Sequence, residues 1–218
     1  MEILSIRDHS LTLLPEKAAY ISQLDALLVS DVHLGKSETF QHFGIPVPNQ
    51  VNTATLERLR QACDRTQAQQ LFILGDLFHA KAGLVDEVID SWLKFLAITQ
   101  VDAHLILGNH DRHLTECLSQ LSLTCHPHPL ELMPWILSHE PFPLTKGINI
   151  CGHIHPCVRL SGGGDRLRLP CFYWESQQNR LTLPSFGEFT GGYDVSITPG
   201  ITAYVVAEDA VIPFANVA

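Results

Sequence analysis

No stretch of this chain approaches the roughly 18 consecutive apolar residues that a membrane-crossing helix needs, so no transmembrane helix is expected. Residues 1–20 do not read as a secretory leader either, because Glu2, Arg7 and Asp8 interrupt the apolar stretch. The cysteines, at 63, 117, 125, 151, 157 and 171, include no CxxC pair. They are therefore expected to be reduced, mostly buried thiols of a cytoplasmic protein rather than a disulfide framework. Long basic runs are missing too. With 14 Lys and Arg against 23 Asp and Glu the formal charge is −9, which disfavours a large non-specific nucleic-acid surface. Bound divalent cations would offset part of that charge and make one cleft locally positive. Charged residues make up only 17% and hydrophobic residues 45%, which excludes a disordered chain. At 218 residues the length suits one domain with a full core.

What the chain does have is histidine, 12 of them, several in a recurring position. Leu105-Ile106-Leu107-Gly108 is an apolar run that ends abruptly in glycine and opens into Asn109-His110-Asp111. Apolar runs of this length read as buried strands, and α/β folds place their chemistry at strand C-terminal ends. The same arrangement recurs. Leu27 to Ser30 runs into Asp31-Val32-His33, and Leu71 to Gly75 into Asp76, with His79 one turn later. Trp135 to Ser138 runs into His139, and Ile148 to Gly152 into His153-Ile154-His155. Lying side by side, these strands would bring all five tips to one place.

Taken in order, Ile3 to Ile6 and Leu11 to Leu14 predict an N-terminal hairpin, with a further short strand near 17–20. A strand over 25–30 follows. Residues 36–50 read as a loop, since Pro46 and Pro48 cannot sit inside a helix. Residues 52–67 and 85–98 carry helical apolar spacing, and strands are expected at 71–75 and 102–107. This alternation predicts parallel βαβ units. After a short helix near 113–120, residues 122–218 read as mostly β, and 161–165 as a hairpin turn, because no helix follows the glycines as a phosphate-cradling loop would need.

Oxygen and nitrogen ligands without thiolates suit Mn²⁺, Fe²⁺ or Zn²⁺ in a catalytic rather than a structural site. Asp31, His33, Asp76, Asn109, His139, His153 and His155 are too many ligands for one metal and enough for two that share a carboxylate. Two cations about 4 Å apart can hold a hydroxide between them and clamp a phosphate for in-line displacement. His110, directly after Asn109, can reach the same phosphate beside the leaving oxygen, and Asp111 is expected to orient its imidazole. Taken singly, each cluster has a bland reading as a satisfied core group. Five at the ends of apolar runs are harder to dismiss.

Asp31-x-His33, Gly75-Asp76-x-x-His79, Gly108-Asn109-His110-Asp111, His139 and Gly152-His153-x-His155 resemble the five motifs of calcineurin-like metallophosphoesterases. The resemblance implies an α/β (α+β) fold, a four-layer αββα sandwich of two mixed β-sheets flanked by helices. Carried over by motif, one metal is held by Asp31, His33, Asp76 and His155 and the other by Asp76, Asn109, His139 and His153. Asp76 bridges and His110 is the catalytic histidine. Asp31 to Lys36, Phe43 to Pro48, Gly108 to Arg112 and Phe186-Gly187-x-Phe189-Thr190-Gly191-Gly192 are similar to the bacterial ligase-associated DNA-damage-response endonucleases, relatives of SbcD-type nucleases. That likeness implies a manganese-dependent phosphodiesterase or endonuclease acting on DNA beside an ATP-dependent DNA ligase, a helicase and an exonuclease. It also implies a nuclease role for the position of His79. About 60 residues follow His155, so one domain over residues 1–218 is expected, with no separate DNA-binding cap.

Other residues have ligand types without context. Cys125-His126-Pro127-His128 reads as a loop, Cys151 and Cys157 as packing, and Phe172-Tyr173-Trp174 as an aromatic core strand. Lys36 and Arg112 directly follow ligand motifs, where they either contact phosphate or are plain solvated charges. Two rival functions remain: hydrolysis of a small phosphoester such as a nucleotide or cyclic nucleotide, and a non-catalytic adaptor keeping the fold.

Overall fold

The computed structural model describes residues 1–48, 51–144, 146–162, 165–188 and 190–215. Strands β1 (Glu2–Ile6), β2 (His9–Leu13) and β3 (Ala19–Ile21) run antiparallel, and β4 (Ala26–Val29) pairs with β3. Helices α1 (Lys36–His42) and α2 (Val51–Thr66) lead to β5 (Gln70–Ile73), and α3 (Asp86–Thr99) leads to β6 (Asp102–Ile106). The short α4 (Thr115–Leu118) precedes β7 (Thr124–His126). From β4 to β7 every pairing is parallel, as the βαβ reading predicts.

Among the described residues these seven strands form one sheet in the order β1 to β7. The second sheet is built from β8 (Leu130–Leu132), β9 (Trp135–Leu137), β10 (Ile148–Cys151), β11 (Pro156–Gly162), β12 (Asp165–Glu175), β13 (Arg180–Thr182), β14 (Tyr193–Asp194), β15 (Ile201–Ala207) and β16 (Ala210–Ala215). Its core order is β14-β11-β12-β13-β10-β9-β8, with β15 and β16 extending from β12. Both sheets mix parallel and antiparallel pairs. The β11 and β12 hairpin pairs in register from Cys157 with Pro170 to Gly162 with Asp165; the turn expected there, Gly163-Gly164, lies outside the described residues.

The central strands are uninterrupted apolar runs because both faces are covered. In β4 and β5, Leu27, Val29, Leu71 and Ile73 face a cluster with Leu56, Leu59 and Ala62 of α2 and Val88, Trp92 and Phe95 of α3. The alternate residues Ala26, Leu28 and Phe72 face the second sheet, against Trp135, Leu137, Ile148, Ile150, Phe172 and Trp174. Each fully buried side chain of this kind contributes roughly 1.5–3 kcal/mol. The aromatic strand expected at 172–174 is thus core. The α/β sandwich of two mixed sheets flanked by helices is the architecture observed, with the long helices against the first sheet. Val195 and Ile197 pack against a small cluster of Val158, Cys171, Ala203 and Val205 in the second.

Two expectations need correction. Residues 36–42 are helical rather than looped, and only the segment from Phe43 to Pro48 is irregular. The helix starts directly after Gly35, whose φ of 75° reverses the chain, and Thr39 Oγ1 donates to the Gly35 carbonyl at 2.8 Å. The five strand tips also do not lie side by side. Three belong to the first sheet and two to the second, and stacking of the sheets brings them together. No helix among the described residues is long and apolar enough to cross a membrane.

Candidate active site

Past the C-terminal ends of β4 and β5 the backbone keeps pairing. Asp31 N–H donates to Gly75 O (3.0 Å), His33 N–H to Asp76 O (2.9 Å) and Leu34 N–H to Leu77 O (2.8 Å). The ligand loops are therefore extensions of the sheet. Asp31, His33, Asp76, His153 and His155 all sit at positive φ, between 51° and 68°, where non-glycine residues are strained. Two glycines give the room this needs. A Cβ on Gly75 (φ 84°) would lie 2.1 Å from His139 Nδ1, and one on Gly108 2.2 Å from Asp76 Oδ1.

The structure brings eight of the ten candidate residues into one bowl, with His79 stacked against His110 and Asp111 bonded to the loops behind it. Asp31, His33, Asp76 and His139 form its buried floor; Asn109, His110, His153 and His155 form the accessible rim. Asp76 Oδ2 is central, 3.6 Å from His139 Nε2, 3.9 Å from His110 Nε2 and 4.0 Å from His33 Nε2. On one side Asp31 Oδ1 lies 3.0 Å from His155 Nε2. On the other, His139 Nε2 lies 2.9 Å from Asn109 Oδ1 and 3.1 Å from His153 Nδ1.

The tautomers make these contacts informative. His139 Nδ1 donates to Leu74 O (2.9 Å), so neutral His139 presents a bare lone pair at Nε2. That lone pair faces the Asn109 carbonyl oxygen and the Asp76 carboxylate, neither of which can donate to it. With the other His153 tautomer, whose Nδ1 is also bare, electron-rich atoms converge there as a cation requires. His155 Nδ1 likewise donates to Gly191 O (3.0 Å), which turns its Nε2 to Asp31. Asp31 Oδ1 and His33 Nδ1 are buried and lack a hydrogen bond of acceptable geometry; for Asp31 the 3.0 Å approach of His155 is a close charge contact instead. The donor sets Asp31-His33-His155 and Asp31-Asp76-His139 each gather within 4.8 Å, so the residues fit divalent metal ions.

Electrostatics support the same use. Burial pushes His33 down to about 3, which keeps its imidazole neutral. Burial also opposes ionisation of Asp31, but His155, His139 and the Ser30 hydroxyl (2.6 Å from Oδ2) outweigh it and hold the carboxylate below its usual range. Burial raises Asp76, and the same carboxylate–imidazole contact raises His155 despite burial.

His110 differs from the reading of its neighbours. Its Nδ1 donates to the His79 carbonyl at 2.6 Å, which frees Nε2 toward the bowl. The His79 ring stacks on it at 5.1 Å. Asp111, expected to orient His110, does not touch the imidazole. Its Oδ2 accepts the amides of Asp76 (2.6 Å) and Gly108 (3.0 Å), and its Oδ1 accepts those of Leu77 (3.1 Å) and Phe78 (3.5 Å). It ties the second ligand loop to the third. Burial raises its carboxyl to about 6 in spite of those amides.

The family model for calcineurin-like phosphoesterases matches residues 25–178, a span that contains every residue of the bowl. The chain belongs to the calcineurin-like phosphoesterases. A solved structure titled as the crystal structure of Pseudomonas putida nuclease MPE is 32% identical to this phosphoesterase. The likeness covers 98% of this chain and 99% of that one, with a TM-score of 0.84. No curated protein matches the chain. The phosphoesterase is thus a metal-dependent phosphoric diester hydrolase.

Parts of this phosphoesterase site were not foreseen. Ser185 Oγ and Gly187 N–H both donate to Asp31 O, at 3.1 and 2.9 Å, and Phe186 N–H donates to Ser30 O at 2.8 Å. This strap holds the first ligand loop from more than 150 residues away; its sequence signal was the Phe186-Gly187 likeness, although Phe189 itself lies outside the described residues. Lys36 was even-handedly a phosphate contact or a solvated charge, and it is buried. Arg112 is exposed and 4.0 Å from Glu140. Cys125 and His126, expected in a loop, lie in β7, and His126 Nε2 is 3.2 Å from His104 Nδ1.

Proposed function

We propose that this phosphoesterase is a two-metal phosphodiesterase that cleaves nucleic acid, with DNA in repair as the substrate setting. One divalent ion is assigned to Asp31, His33, Asp76 and His155, and a second to Asp76, Asn109, His139 and His153, with Asp76 shared. Manganese suits this mixed oxygen and nitrogen set, with Fe²⁺ and Zn²⁺ as the other candidates. The observation that carries the reading is the position of Asp76 Oδ2, 3.6 Å from His139 Nε2 and 4.0 Å from His33 Nε2, too long for hydrogen bonds and the right spacing for ligands around shared cations. Nucleic acid as substrate is supported by the full-length likeness to a nuclease.

When bound, such ions supply the positive charge that neutralises a phosphodiester and makes water a competent nucleophile. The protein's own groups do the rest. Asp31 and His139 have their remaining atoms committed to Ser30 and to Leu74 O, so their facing atoms are aimed before substrate arrives. His110, anchored through Nδ1, holds Nε2 toward the departing oxygen and, protonated there, gives it a proton. His79 positions His110 through its carbonyl and ring. A partnership with an ATP-dependent DNA ligase, a helicase and an exonuclease belongs to this reading and rests on the motif likeness.

The test is purified protein loaded with Mn²⁺, assayed on bis-p-nitrophenyl phosphate, its monoester, cyclic nucleotides and single-stranded DNA. Cleavage of the diester and of DNA is expected. Turnover of cyclic nucleotides with DNA untouched would replace the proposal by the small-phosphoester alternative; no turnover of any substrate would leave the adaptor reading.

A further inference from the structure

Lys36 opens α1, three residues after His33, and is only 9% exposed. Buried lysines ordinarily have a carboxylate partner. Among the described residues its ammonium makes no hydrogen bond and no ion pair. The nearest acid on its helix, Glu38, is engaged elsewhere, accepting from Ser37 Oγ (2.9 Å) and Asn52 Nδ2 (2.8 Å). Burial lowers the Lys36 amine, and nothing counters it.

The backbone sets Lys36 beside the bowl: Leu34, two residues before it, bridges to Phe78 and accepts the His79 amide at 3.0 Å. Its charge reaches both His33 and His79 and helps to depress each of them. Those two rings and His110 form a third cluster of donor atoms within 4.8 Å. This cluster differs from the other two. Its donor set contains no carboxylate, although Asp76 Oδ2 lies 3.9 Å from His110 and 4.0 Å from His33, and the Lys36 charge acts on two of its rings; once divalent ions offset the carboxylates, an anion is attracted there. The anion that this enzyme handles is a phosphate. A lysine is a compact point charge with three donors, suited to a single phosphoryl oxygen.

We propose that Lys36 is a phosphate-binding residue of this site, its ammonium taking an anionic oxygen of the substrate phosphate on the side of the bowl lined by His33 and His79. The proposal rests on the phosphodiesterase reading above, and it explains why a cation without a protein partner among the described residues is kept beside the site of an enzyme whose net charge is −9.

The experiment compares wild type, Lys36→Met and Lys36→Arg, each loaded with Mn²⁺, using inorganic phosphate as the probe in calorimetry and as an inhibitor of bis-p-nitrophenyl phosphate turnover. Lys36→Met is expected to weaken phosphate binding and to lower kcat/KM by roughly 10- to 100-fold, the loss expected for one charge-assisted hydrogen bond. Metal content and thermal midpoint stay at wild-type values, and Lys36→Arg recovers most of the phosphate affinity. Unchanged phosphate affinity in Lys36→Met overturns the proposal. So does a Lys36→Arg variant as weak as Lys36→Met, which would mean that shape rather than charge is needed. If Lys36→Met fails to fold, Lys36→Gln takes its place with the same expected loss. A wild-type protein that binds phosphate but hydrolyses no diester would refute the activity reading instead, while the calorimetric comparison would still decide the role of Lys36.

Discussion

Gly75 and Gly44 make a matched pair for separating backbone strain from collision with the site. Both have positive φ, 84° and 77°. A Cβ at Gly44 meets nothing within 4 Å, whereas one at Gly75 lies 2.1 Å from Nδ1 of His139 and 2.4 Å from its Cγ. Alanine at either position incurs the left-handed penalty of about 1–2 kcal/mol, partly offset by the smaller entropy of the unfolded chain. For a chain of this size each net kcal/mol lowers the thermal midpoint by about 2–4 °C. Gly44→Ala should show that shift and no other change. In Gly75→Ala the imidazole must also retreat by roughly 1 Å to restore an ordinary contact, which breaks its hydrogen bond to Leu74 O and moves Nε2 away from Asn109 and Asp76. Misplacement on this scale costs about 100-fold in rate, and loss of an orienting contact about 10- to 100-fold in metal affinity. The assay is melting with and without Mn²⁺, metal stoichiometry, and diester turnover for both variants. Gly75→Ala with wild-type metal affinity and turnover, alongside a destabilised Gly44→Ala, would refute the claim that the glycine exists to seat His139.

Three further outcomes are expected. His110→Ala should abolish diester turnover while metal content stays at the wild-type value; undiminished activity in a metal-replete variant would remove His110 from the chemistry. Asp111→Asn should destabilise the protein by about 1–3 kcal/mol, because an amide offers one oxygen where four backbone amides now share two; urea unfolding measures it, and a neutral result would show that those amides find other partners. Metal-free protein in chelator should lose stability as pH falls below 6.5, since His33 and His79, lowered to about 3 and about 4, take up protons only when the chain unfolds. Asp111, raised to about 6, works in the opposite sense: its contribution is present at low pH and lost as pH rises toward 6. His155 and Asp76, both raised, act with Asp111; the large downward shifts of His33 and His79 set the expected sign, a net loss on acidification read from urea midpoints at pH 7 and 5. A flat profile would contradict it.

How far the chain could be read varied with the range of the interactions. The alternation of strands and helices over 25–107 was legible because each strand is buried on both faces and each helix on one, so burial is written into local periodicity. The convergence of the candidate site residues was legible because each sits at the end of such a run. Helix α1 was not, since Pro46 and Pro48 dominate its neighbourhood while the signals for it, Gly35 and the buried face of Lys36, Ser37 and Thr39, depend on tertiary contact. Asp111 was misassigned for a related reason. A carboxylate next to a histidine suggests a dyad, and only the fold shows that Asp76 to Phe78, 33–35 residues away in sequence, present their amides to it. The strap at Ser185 to Gly187 is wholly non-local.

The positive φ of Asp31, His33, Asp76, His153 and His155 has one more consequence. Glycine substituted at any of these would relax the main chain even as it removes a candidate ligand, so a scan of the bowl should turn up dead proteins that melt later than the living one. Durability and catalysis pull on the same handful of residues in opposite directions, and heat tolerance is therefore a poor guide to whether a variant of this enzyme still works.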